Sequence, residues 1–229
     1  MNWSPLWISL CTAVPATIIT FFLGIFTAQR MVSSGGRIAK LLDVLFTLPL
    51  VLPPTVAGFL LLLLFGKNGI PGRYLTELGV QIVFTRTAAV IAAVVISFPL
   101  MHRSAKAAFE QVDPALIYAG RTLGMTERRI FWRVIMPNAL PGVASGTILA
   151  LARALGEFGA TLMIAGNIPG RTQTMPLAIY MAIQGGKQQE AVIWVILLVL
   201  LSFVMILLMG YFARDRKKSE GRKRDEPAG

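Results

Sequence analysis

Five apolar runs dominate the chain, at roughly 6–29, 41–65, 86–106, 138–165 and 190–213, and polar or charged connections separate them. Each run is long enough, at about 17–25 residues, to cross a hydrocarbon core as a helix. Each also contains Gly or Pro, which membrane helices tolerate because neighbouring helices re-satisfy the freed backbone groups. The pattern predicts an all-α, polytopic membrane protein forming one domain over 1–213, followed by a charged tail at 214–229. A weaker apolar segment, 173–187, is preceded by "GNIPGRT" and holds Pro176 near its start. If it enters the bilayer, the helix count becomes six. It could also contact a delivery protein or plug the outer mouth.

Composition agrees with lipid burial: 55% of residues are apolar, 14% are charged, and the mean hydropathy is +0.67. A soluble domain carries about 25% charged residues. "MNWSPLWISL" has no Lys or Arg ahead of its apolar run, whereas a signal peptide needs a basic n-region. The first run is therefore expected to be retained, with its N-terminus outside.

The net charge of +11 would suit a nucleic-acid binder, but its placement suits a membrane. Sixteen of the 22 Lys and Arg residues fall in 30–40, 103–133 and the tail, and five fall in the two opposite connections. Under the positive-inside rule the three basic regions are cytoplasmic. The tail reads as a solvated anchor drawn to anionic lipid. The lone Cys11 offers no disulfide or metal framework.

The segment "YAGRTLGMTERRIFWRVIMP", 118–137, is a charged insert between the third and fourth runs. Asp113 can cap a helix opened by Pro114. Gly124 suits a left-handed helix end. Thr126 can cap a second helix that carries Arg128, Arg129 and Arg133 up to Pro137. Such a helix pair can lie on anionic lipid, or it can be the part that another protein grips.

The spacing of this segment resembles the cytoplasmic EAA loop of permease subunits of bacterial binding-protein-dependent ABC importers (type I fold). That loop reads E-A-A, three residues, Gly, nine residues, I-x-L-P. Tyr118, Ala119 and Gly120 stand at E-A-A, Gly124 at the glycine, and Val134 to Pro137 at I-x-L-P. Tyr118 for Glu removes any ion pair from that position. The resemblance implies a coupling loop (107–137) that docks into a cytoplasmic ABC ATPase dimer, with Ala119, Gly120, Gly124 and Pro137 as coupling residues. It further implies a homodimer with a pore between subunits, an extracytoplasmic oxyanion-binding protein, and a bacterial inner-membrane location with the C-terminus cytoplasmic. ATP and Mg would sit on the partner ATPase, and this chain would bind no cofactor. The stretches 48–69 and 154–180 resemble molybdate importer permeases in particular. Sulfate and thiosulfate permeases share the "ALGE" stretch, and tungstate is nearly identical to molybdate in size and charge.

Several features keep two readings. Gly142, Gly146, Ala150 and Ala154 form a small-residue stripe, for packing within one subunit or for a dimer seam. Arg153 and Glu157 lie four apart at membrane depth, as a self-neutralising pair or as an anion path or gate. Pro49, Pro53 and Pro54 give a static kink or a flexing element. His102 is expected as an interfacial residue. Without a phosphate loop, H-E-x-x-H or G-x-S-x-G, an embedded enzyme has no catalytic set, and no metal site is expected.

Overall fold

The computed structural model describes residues 2–33 and 36–224, with side chains as far as Tyr211; the side chains of the basic tail lie outside the described residues. Among the described residues four helices are long and apolar enough to cross a membrane: α1 (Ser4–Ser33), α5 (Arg86–Glu110), the rod Glu127–Leu155, and α11 (Gln188–Arg224), whose apolar part is Gln188–Tyr211. Between the first two lie α2 (Arg37–Val51), α3 (Pro54–Phe65) and the short α4 (Ile70–Glu77). α6 (Pro114–Thr122) stands between α5 and the rod. The rod itself comprises α7 (Glu127–Ile130), a π-helical turn (Phe131–Ile135) and α8 (Met136–Leu155). α9 (Gly159–Ala165) and α10 (Met175–Gln184) follow.

α1, α5 and α8 form the core. They approach closely because small residues meet at the crossings. A Cβ on Gly24 of α1 would lie 2.6 Å from Met101 Cγ of α5. On α8, a Cβ at Gly142 would come within 2.7 Å of Ala108 Cβ, and one at Gly146 within 2.4 Å of Ser104 Cβ. The glycines of the stripe therefore pack inside the subunit, against α5. Polar side chains in these helices return to their own backbone, as Thr17 does to the Ala13 carbonyl at 2.7 Å and Ser97 to that of Ala93 at 2.6 Å. In lipid no water could satisfy them.

The run 41–65 is not one straight span. α2 and α3 meet at 113°. Leu52 is extended, with φ −69° and ψ 139°, as a residue before proline is driven to be. Pro53 and Pro54 restart the chain as a new helix. α3 then lies on α9, held close by Gly58, whose Cβ would meet Ala160 Cα at 2.6 Å.

The run 138–165 is broken as well. α8 ends at Leu155, Gly156 closes it, and Glu157 starts α9 by accepting the Ala160 N–H at 2.7 Å. Pro137, expected to end the second helix of the insert, instead lies inside a continuous rod. Proline lacks the N–H that an α-helical register needs. The chain absorbs this by widening one turn upstream, where the Met136 N–H reaches the Phe131 carbonyl.

α10 packs on α1 and α11, with Met175 and Leu177 fully buried and the Met175 N–H donated to Ser9 Oγ at 2.8 Å. Its ten residues rise about 15 Å, half of a hydrocarbon core. Arg86 holds the preceding connection by donating to the carbonyls of Arg171 and Gly170 at 3.0 and 3.1 Å.

Candidate functional site

The insert folds as its caps dictate. Asp113 accepts the Ala115 N–H at 2.9 Å and Pro114 opens α6. At the far end the Met125 N–H reaches the Gly120 carbonyl at 3.1 Å and the Gly124 N–H reaches that of Arg121 at 2.9 Å. This double bond pattern is a Schellman closure, which requires a left-handed residue. Gly124 supplies it, with φ +71°. Thr126 then caps α7 through the Arg129 N–H.

The four expected coupling residues do not share one surface. Ala119 is exposed on α6, whereas Gly120 is buried beneath Ile130, whose Cγ1 would lie 3.2 Å from a Cβ at that position. Gly124 makes the turn with open space around it, and Pro137 lies exposed in the rod. Gly120 thus clamps α6 onto α7, and Gly124 sets the angle between them. Tyr118 (61%), Leu123 (79%) and Trp132 (57%) are exposed along the insert.

Arg121 joins the two helices by donating to both Glu127 oxygens, at 2.7 and 3.2 Å. That hydrogen-bonded guanidinium holds the Glu127 carboxyl below the usual carboxylate range and is itself raised by the partnership. Both groups are exposed, so the pair orients the loop more than it stabilises the protein.

Arg153 and Glu157 meet as well. Arg153 Nη1 donates to Glu157 Oε2 at 2.7 Å, and Glu157 Oε1 takes the Ala160 N–H. Both carboxylate oxygens are occupied and the side chain is buried, which favours the self-neutralising structural pair. The pair sits where the two chain breaks touch, since a Cβ on Gly159 would lie 3.1 Å from both Pro54 Cβ and the Thr55 nitrogen.

His102 differs from its expected interfacial setting. It is fully buried, stacked on Phe98 with ring centroids 5.8 Å apart and edge-on to Phe46. Its Nε2 lies 2.8 Å from Asp43 Oδ1, and its Nδ1 lies 2.9 Å from Thr27 Oγ1. Lys106 Nζ donates to the second Asp43 oxygen at 2.7 Å. Three helices, α1, α2 and α5, are joined there. Sequence reasoning missed Asp43. A lone acid inside "LLDVLF" is a signal by itself, because an unpaired carboxylate at that depth is costly. Among the described residues no group of three or more His, Cys, Asp or Glu is placed to hold a metal.

Comparison with known proteins places this geometry. Residues 20–218 match the family described as binding-protein-dependent transport system inner membrane component. The chain is 43% identical to the putative molybdenum transport system permease protein YvgM of Bacillus subtilis (strain 168), over 93% of both chains. It is 41% identical to the molybdenum transport system permease protein ModB of Escherichia coli (strain K12), over 96% of this chain and 97% of that one. The probable sulfate transport system permease protein cysT of Chlorokybus atmophyticus is more distant, at 33% over 89% and 70%. Among solved structures, a chain of the MetNI methionine ABC transporter in an inward-facing conformation superimposes with a TM-score of 0.71 at 18% identity, covering 93% and 94%. Fold and sequence thus agree: the chain has the fold of ABC importer membrane subunits, is similar to transport permeases, and belongs to the family of inner-membrane components of binding-protein-dependent transport systems.

Proposed function

We propose that this chain is the membrane-spanning permease of an ATP-driven oxyanion importer, with molybdate as its substrate. The observation that carries the substrate is the gap in identity. Two relatives named as molybdenum permeases stand at 43% and 41% over nearly full length, and the sulfate permease stands at 33%. Tungstate, matching molybdate in charge and size, is expected to follow the same path.

The coupling loop 107–137 is the handle for a cytoplasmic ATPase dimer that holds ATP and Mg. The exposed Leu123, Tyr118 and Trp132 supply the apolar area such a partner would cover. Two copies of the permease enclose the path, and an extracytoplasmic binding protein delivers the anion at the end opposite the loop. The N-terminus lies outside and the C-terminus in the cytoplasm, as the distribution of Lys and Arg supports. ATP closure draws the two coupling loops together and rocks the helices around the path; hydrolysis resets them.

The test is ATP-dependent uptake into vesicles holding this chain, its ATPase and its binding protein, with labelled molybdate, tungstate and sulfate offered separately. Uptake of molybdate that excess sulfate does not displace is the expected result. Sulfate-dominated uptake would move the chain to the sulfate permeases.

A further inference from the structure

The Asp43 cluster sits at a mechanically distinctive place. α2 has a narrow apolar grip on the rest of the subunit: Ala39 is buried and Phe46 packs edge-on against Phe98 and His102, while Ile38, Leu41, Val44, Leu45 and Leu48 are exposed. Its polar anchor is the Asp43 carboxylate, with one oxygen on His102 and the other on Lys106. Both of those residues belong to α5, which ends at Glu110. From Lys106 to that end is only one further turn, about 6 Å. Asp113 then caps the coupling helix. The other end of α2 is the Leu52–Pro53 break, and Pro54 and Thr55 beyond it press on Gly159 beside Glu157. A charge-assisted anchor between part-buried groups is directional, whereas apolar contacts let side chains slide.

We propose that Asp43 is a positioning residue that locks α2 to the stem of the coupling loop, so that displacement of the loop by the ATPase swings α2 and, through the Leu52–Pro53 break, the corner at Glu157. The proposal rests on the permease reading but not on the identity of the substrate. His102 fixes the rotation of α2 through its edge-on contact with Phe46, and its second nitrogen ties the same ring to Thr27 of α1. Lys106, 25% exposed at its side chain, supplies the compensating charge.

The test uses the full complex in vesicles, with Cys11→Ser and Val51→Cys, because Val51 is 82% exposed at the far end of α2. The rate of thiol modification at position 51 is compared without nucleotide and after trapping with ATP and vanadate, alongside ATP hydrolysis and molybdate uptake. In the parent the two rates differ. In Asp43→Asn and Lys106→Met the difference is expected to shrink roughly ten-fold, the scale of losing one charge-assisted hydrogen bond, while hydrolysis continues. Asp43→Glu is expected to restore it in part. The idea is overturned if both variants keep the parent's nucleotide response, if the parent shows none, or if hydrolysis and response fall together as in a merely damaged fold. A parent that responds at position 51 without taking up molybdate would overturn the substrate reading and leave the lock standing.

Discussion

Arg153 and Glu157 are locked to each other one helical turn apart, with Nη1 and Oε2 separated by 2.7 Å, and the same carboxylate starts the next helix. Glu157→Gln keeps the shape but leaves the guanidinium facing an amide. The expected loss is on the order of 2 kcal/mol, below the usual cost of breaking a buried pair. The reason is that the Arg153 side chain is 30% exposed, so water screens what remains. Thermal unfolding in detergent measures it. The double variant Arg153→Gln/Glu157→Gln is expected to lose less than Glu157→Gln alone, since no charge is left unpaired. A Glu157→Gln protein of unaltered stability that no longer transports would favour an anion path instead.

Gly124→Val introduces a β-branched residue at φ +71°, and nothing lies within 4 Å of the new Cβ. The penalty is therefore backbone strain alone, about 1–2 kcal/mol, taken by the angle between α6 and α7. The variant is expected to insert and fold normally yet to bind the ATPase weakly, which copurification and vesicle uptake report. Full uptake would refute the role given to this loop. Gly120→Ala is expected to be mild, because the tight contact at 3.2 Å is with Ile130 Cγ1, a side chain that can shift.

Gly146→Leu is expected to be among the most damaging substitutions in the membrane region. Its Cβ alone would fall 2.4 Å from Ser104 Cβ, so α5 and α8 must separate. Overpacking of this kind costs roughly 1–3 kcal/mol or more. Low yield of folded monomer, rather than loss of a dimer, is the expected readout, since the contact is within one chain.

The Arg121–Glu127 pair predicts a pH dependence confined to acid. Glu127 has a depressed folded value, so its contribution is fully present above the unfolded carboxylate value of about 4.3. It is lost as pH falls through the lower folded value. Hydrogen exchange of the α6 and α7 amides is expected to be equal at about pH 5 and about pH 7 once corrected for intrinsic rates. Glu127→Gln is expected to exchange faster than the parent at both, with the gap closing in stronger acid.

The sequence made the local structure of the insert legible because caps act over three or four residues: Asp113, Gly124 and Thr126 each do what their chemistry allows wherever they stand. It also announced breakers without fixing their geometry. Pro49, Pro53 and Pro54 forecast a bend, but the 113° fold-back depends on α3 finding a seat on α9 through Gly58, whose partner Ala160 is remote in the chain. The stripe on α8 was visible, while the choice between its two uses waited on Ala108 and Ser104. His102 was the plainest miss. A buried ring is defined by what surrounds it, and Asp43, 59 residues upstream, is not a neighbour that spacing can reveal.

The widened turn at Phe131–Ile135 amounts to a single surplus residue in an otherwise α-helical rod. Each residue in an α-helix advances the azimuth by about 100° and the axis by about 1.5 Å. Removing one residue there would restore ordinary winding, shorten the rod slightly, and turn α6 and α7 by more than a quarter revolution relative to α8. Every hydrogen bond inside the insert could survive, and it would still present Tyr118 and Leu123 toward the wrong quarter of the compass. The bearing on which the insert faces is thus set by a one-residue count, so insertions and deletions there are expected to be more damaging than substitutions.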